Sequence, residues 1–144
     1  GQQADGDSYY SSLSADGRYV AFVSSASNLV AGDTNGAWDV FVRDLQTGTT
    51  TRASVDSHGQ ETDDDSYLPS LSADGRYVAF YSNANNLVTG DTNGAQDVFV
   101  YRRAPNIPPT ITMNDPPTNT HVDVGFVYPW TRRSRRRTGT GSSR

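Results

Sequence analysis

Ser12-Leu-Ser-Ala-Asp-Gly-Arg-Tyr-Val-Ala-Phe22 returns unchanged as Ser70-Leu-Ser-Ala-Asp-Gly-Arg-Tyr-Val-Ala-Phe80. Outward from this stretch, Gly32-Asp-Thr-Asn-Gly-Ala37 returns as Gly90 to Ala95, and Asp39-Val-Phe-Val42 as Asp97 to Val100. Every match lies 58 positions on, and pairing residues 1–45 with 59–103 gives roughly 32 identities in 45 pairs. A period of that length marks a repeat architecture, in which each unit is one supersecondary motif that must stack on its neighbours to bury its core.

Each repeat reads as short strands. Residues 8–14 form a first strand. Asp16-Gly17 is a tight turn, with Gly free to take positive φ and Asp able to bond nearby amides, and Asp74-Gly75 is its copy. Residues 18–24 form a second strand, residues 39–44 a third, and residues 49–55 a fourth after the Gln46-Thr-Gly48 turn. Val20-Ala-Phe-Val23 and Val40-Phe-Val42 are apolar on both faces, as strands covered on both sides are. Adjacent blades of a propeller cover each other in this way, and Phe22 and Phe80 are expected in equivalent buried positions.

Leu13 to Phe22, then Asp39-Val-Phe-Val-Arg-Asp44, then Thr49-Thr-Thr-Arg-Ala-Ser54, resembles the WD40-like repeat of TolB-type proteins. The resemblance covers residues 1–103. It implies an all-β fold, a fragment of a β-propeller with two tandem four-stranded blades at residues 1–58 and 59–103, and an extracellular or periplasmic location. The repeat is longer than the roughly 40–45 residues of an ordinary blade of this kind. Its excess lies in residues 25–38 and 56–66. The second repeat has no sequence counterpart to residues 49–55, and two blades cannot close a ring, so adjacent blades are expected to be missing from this chain.

Beyond residue 103 the character changes. Residues 104–109 read as a Pro-rich linker. Asn106-Ile-Pro-Pro-Thr-Ile-Thr-Met113 resembles the opening strand of a bacterial immunoglobulin-like domain, with residues 110–125 as a truncated start of one. Residues 126–144 read as a basic tail, with three competing readings: a segment for nucleic acid, a genuine disordered terminus, or, preferred, the product of a frameshift in a GC-rich, Lys-free gene. Residues 1–103 carry a net charge of −8 and residues 104–144 of +4. The acidic repeats argue against nucleic acid as a partner. No apolar run is long enough for membrane insertion by a helix. Without cysteine there is no disulfide, thiolate metal site or Cys nucleophile.

Candidate chemistry is sparse. Asp33, Asn35 and Asp39, and their copies Asp91, Asn93 and Asp97, place oxygens at loop positions 1, 3 and 7, partly resembling a calcium loop. Position 5 is Ala37 or Ala95, and position 12 is Asp44 or Arg102, never Glu. The competing reading is a turn with Asn-Gly at its tip. No cofactor other than calcium is suggested. Ser14-Ala-Asp-Gly17 and Ser72-Ala-Asp-Gly75 resemble structural propeller turns. Asp63-Asp-Asp65 reads as a solvated acidic loop. His58 and His121 belong to no HExxH pattern, and no Gly-x-Ser-x-Gly or phosphate-binding loop occurs. Trp38, replaced by Gln96 in the second copy, is a candidate exposed contact residue or, equally, a packed surface residue. The expectation is a non-catalytic interaction module of a secreted, periplasmic or cell-surface protein, taking a protein or glycan ligand. The alternative is an accessory propeller of a larger peptidase or glycosidase.

Overall fold

The structure, a computed structural model, describes residues 3–104 and 127–129. It is all-β. Strands β1 (Ser8–Leu13), β2 (Tyr19–Ser24), β3 (Asp39–Asp44) and β4 (Thr49–Arg52) form one antiparallel sheet in sequential order. Strands β5 (Ser66–Leu71), β6 (Tyr77–Ser82), β7 (Asp97–Arg102) and β8 (Val127–Pro129) form a second of the same order. The registers repeat at the 58-residue offset: Phe22 pairs with Phe41 and Phe80 with Phe99. These are two stacked four-stranded blades of the β-propeller kind.

The turn that joins the first two strands is built identically in both blades. Ser14 Oγ donates to Asp16 Oδ1 at 2.6 Å, and the Arg18 amide donates to the same oxygen at 3.0 Å. Ser72, Asp74 and Arg76 repeat both bonds at the same distances. The serine hydroxyls hold the Asp16 and Asp74 carboxyls below the usual carboxylate range. Both first strands also carry a bulge. Tyr10 and Leu68, 58 positions apart, have φ of 53° and 50°, in the left-handed region that non-glycine residues avoid. Pro69 sits inside this bulge, where a missing N–H costs no ladder bond.

Blade-on-blade packing makes the core. Successive strand residues face opposite sides. From the first blade, Tyr19, Ala21, Val23, Val40 and Val42 are buried; from the second, the opposite set, Val78, Phe80 and Phe99. The stack is therefore directional: one face of the first blade meets the other face of the second. Gly75 stands where the two come closest. Its φ is +69°, and a Cβ there would lie 2.2 Å from Tyr19 Cδ2. The Arg103 guanidinium covers the other side of that ring, 3.7 Å from its centroid. Backbone bonds stitch the seam, with the Ala15 amide donating to the Ala73 carbonyl at 2.9 Å and the Ser66 amide to the Trp38 carbonyl at 2.7 Å.

Four expectations change. Phe22 is only half-buried although Phe80 is 1% exposed, because Phe22 lies on the face that no blade covers among the described residues. The fourth strand of the first blade ends at Arg52, and Val55 makes only an isolated bridge to Glu61. The second blade does have a fourth strand: β8, within the stretch expected to be a disordered tail, pairs with β7. An open strand edge demands hydrogen-bond partners, and Arg102-Arg103-Ala104 offers no hairpin turn to supply them locally. The acidic connection at 56–66 is part of the inter-blade seam, through Glu61, Thr62 and Asp65. The linker from residue 105, the immunoglobulin-like stretch at 110–125 and the tail from 130 lie outside the described residues.

The asymmetric burial has a direct consequence. Phe80→Ala is expected to cost about 3–5 kcal/mol of stability, as for a fully enclosed aromatic. Phe22→Ala should cost less than half of that. Urea denaturation of the two variants checks it, and equal losses would contradict the directional stack.

Candidate functional site

The two polar loops that precede the third strands share nearly all their residues and end up in different surroundings. In each, the sequence brings the Asn and the second Asp together: Asn35 Nδ2 donates to Asp39 Oδ2 at 3.0 Å, and Asn93 Nδ2 to Asp97 Oδ2 at 2.9 Å. The Asn oxygens turn inward as turn caps, accepting from the Ala37 and Ala95 amides at 3.0 and 2.8 Å. The amide nitrogen, not the oxygen, therefore faces the carboxylate in both loops.

In the first blade a guanidinium takes the position of a cation. Arg52, from β4, reaches across β3 to the loop. Its Nη1 lies 3.6 Å from Asp33 Oδ1, 3.3 Å from Asp39 Oδ2 and 2.8 Å from Glu61 Oε2. Its Nη2 donates to the Gly32 carbonyl at 3.2 Å. Asp39 is fully buried and saturated. Ser54 Oγ and Thr62 Oγ1 donate to its Oδ1 at 2.5 and 3.1 Å. Glu61 and Thr62 belong to the connection into the second blade, so this network also locks the seam. Glu61 also accepts from the Thr34 hydroxyl and amide. Those bonds, with Arg52, bring its carboxyl down to about 2. Asp33 moves the other way: burial raises its pKa, with Arg52 opposing.

Among the described residues, that position is open in the second blade. Phe41 pairs with Arg52, but Phe99 pairs with Pro129, so no guanidinium is delivered from the fourth strand. What remains is a groove of about 700 Å³, lined by Thr89, Asp91, Asn93, Gln96 and Asp97 with Val98 on its wall. Gln96 Nε2 donates to Asn83 Oδ1 at 3.2 Å. Among the described residues, no group of three or more His, Cys, Asp or Glu is arranged to hold a metal ion.

TolB from Acinetobacter baumannii is similar in structure over 71% of this chain, at 24% sequence identity and a TM-score of 0.39. The chain spans 19% of that protein's length. No protein-family model matches the chain, and no curated protein does.

Sequence reading missed Arg52 and Glu61, the residues that organise the first loop. The available signal was their asymmetry: each stands where the other repeat has no like charge, Gln3 being the counterpart of Glu61. Trp38 is not a free contact. It stacks on Tyr9 at 5.5 Å between ring centroids and packs on the inter-blade core, with its amide donating to Asp65 Oδ1 at 2.7 Å.

Arg52→Met would strand the buried Asp39 charge and is expected to cost about 3–5 kcal/mol. Asp97→Asn should cost under about 1 kcal/mol, because its surroundings are open. Calcium is expected to leave the Tm unchanged at the first loop, where Arg52 already stands. A chelator-reversible rise that survives Asp91→Asn with Asp97→Asn would contradict this. Glu61 sets a pH response. Its folded pKa lies below the ordinary 4.5, so its contribution is complete above that value and is lost as pH falls through about 2. Asp33, raised, contributes with the opposite sign. Thermal melts from pH 7 to 2 should show a stability decline in that window that Glu61→Gln flattens.

Proposed function

We propose that the chain is a non-catalytic interaction module of a secreted, periplasmic or cell-surface protein, and that it takes protein or glycan ligands at the open loop groove of its second blade. The observation that carries this reading is the contrast between the two loops. The same Asp-Thr-Asn-Gly-Ala sequence is closed by Arg52 and Glu61 in the first blade and left facing solvent in the second. Loops held on a rigid sheet scaffold are where binding residues concentrate.

The chemistry of the groove selects the ligand class. Asp91 and Asp97 present carboxylate oxygens and Gln96 presents an amide, while Asn93 is engaged with Asp97 and the Ala95 amide. A fitting group brings several N–H or O–H donors. The first blade shows one solution, a guanidinium held between carboxylates. An arginine side chain on a protein surface supplies the same donors, and the vicinal hydroxyls of a sugar supply neutral ones. The acidic repeat region favours approach of cationic ligands over anionic ones.

Titration of the isotope-labelled full chain with an arginine-rich peptide and with neutral oligosaccharides tests the reading. Amide shifts should concentrate at Asp91, Asn93, Gln96 and Asp97, and Asp97→Asn should weaken peptide binding about tenfold, the worth of one charge-assisted contact. Shifts confined to other surfaces, or binding indifferent to Asp97→Asn, would sink the proposal.

A further inference from the structure

The two sheet faces left open among the described residues are the two halves of an interface the chain already contains. The second blade covers the first with Leu71, Val78, Phe80 and Phe99 around Gly75. The first blade carries the identical set, Leu13, Val20, Phe22 and Phe41 around Gly17, on the same face, where Phe41 is already fully buried and Leu13, Val20 and Phe22 are not. There Leu13 is 60% exposed, and a Cβ on Gly17 would meet nothing within 4 Å.

The opposite face of the second blade is the matching half. Tyr77, Ala79, Val98 and Val100 stand where the first blade has Tyr19, Ala21, Val40 and Val42. Tyr19 is 7% exposed and Tyr77 44%; Val40 is 0% exposed and Val98 43%. The difference between each pair is the cover that the second blade gives and that nothing gives the second blade among the described residues.

We infer that a second copy of this chain docks its first blade onto the second blade of the first copy, head to tail, repeating the internal seam. The repeat supplies the details. Tyr77 seats against the open Gly17 of the second copy, as Tyr19 seats against Gly75. Leu45, 56% exposed, stands in the place of Arg103 and covers the Tyr77 ring with apolar surface instead of a guanidinium. Ser70 Oγ accepts from the Leu13 amide of the second copy, as Ser12 Oγ accepts from the Leu71 amide at 3.1 Å. Asp7 of the second copy accepts from the Gln96 amide, as Asp65 accepts from Trp38. Two seam contacts have no equivalent, since Gln3 takes the place of Glu61 beside Arg52 and Ala4 that of Thr62, whose hydroxyl donates to Asp39. The contact is heterologous, so it adds copies in one direction until a ring closes.

Sedimentation equilibrium of the full chain from about 1 µM to about 1 mM, a range that brackets ordinary self-association constants, tests this. The average mass should climb with concentration beyond that of one chain. Leu13→Glu blocks one face and Val98→Glu the other, and both residues are exposed, so circular dichroism should show each variant folded. Each alone should remain monomeric. An equimolar mixture should give a species of twice the chain mass and stop there, because only one productive pair of faces survives. Leu45→Glu with Tyr81→Lys is a second such pair if either first variant fails to fold. A wild-type chain that stays monomeric throughout overturns the inference. So does self-association by either single variant alone, or a mixture that does not combine.

Discussion

Strands that are apolar on both faces constrain everything else in this protein. A sheet with one solvated face can stand against a single partner layer, whereas Tyr19–Ser24 and Asp39–Asp44 present side chains to cover on each side. The first two blades answer this for one face each. Odd-numbered positions of β2 meet the even-numbered positions of β6, and Phe80 and Phe99 fill the space between. Glycine at position 75 is required by the same packing, because a side chain there would displace the Tyr19 ring. Burial at equivalent positions then differs by tens of per cent between blades with closely similar strands, as Val40 and Val98 show.

The polar side of the seam follows a different rule. A buried carboxylate is tolerated only when its lone pairs are satisfied and its charge is matched. Asp39 meets that requirement through Asn35 from the loop before it, Arg52 and Ser54 from the hairpin that ends its own blade, and Thr62 from the connection into the next. The loop is thereby structural in the first blade. Its twin at Asp97 has the local Asn bond and, among the described residues, no guanidinium, and stays half-exposed beside a groove. One sequence motif thus serves as a clamp in one repeat and as an open polar surface in the other. What separates them is whether an Arg-bearing fourth strand follows within eight residues of the third.

The repeat at 58 residues, the Asp-Gly turns and the alternation of short strands were legible in the sequence because they are local. Ser14, Asp16 and Arg18 bond within five positions of one another, so identical residues give identical geometry wherever they stand. The third strand was placed from Asp39 to Asp44 for the same reason, its ends set by a polar loop and a Thr-Gly turn. The Asn35–Asp39 bond is local in the same sense, spanning four positions of one loop.

The rest depended on what each repeat lies against. The sequence of Phe22 and its neighbours is that of Phe80, yet one is half-exposed and the other enclosed, because burial belongs to a pair of surfaces and not to a residue. The Asp33 and Asp39 carboxylates had the spacing of a cation loop. That the cation is Arg52 required a side chain 13 positions from Asp39 in sequence to be brought back by a hairpin, and Glu61 by the chain's passage into the next blade. The partner of β7 came from Val127–Pro129, far beyond Arg102 in sequence, because hydrogen-bonding groups on a sheet edge recruit whatever backbone reaches them. Local bonding was therefore determined by the sequence itself. Which face is covered, and which carboxylates are neutralised, was decided only when the two blades met.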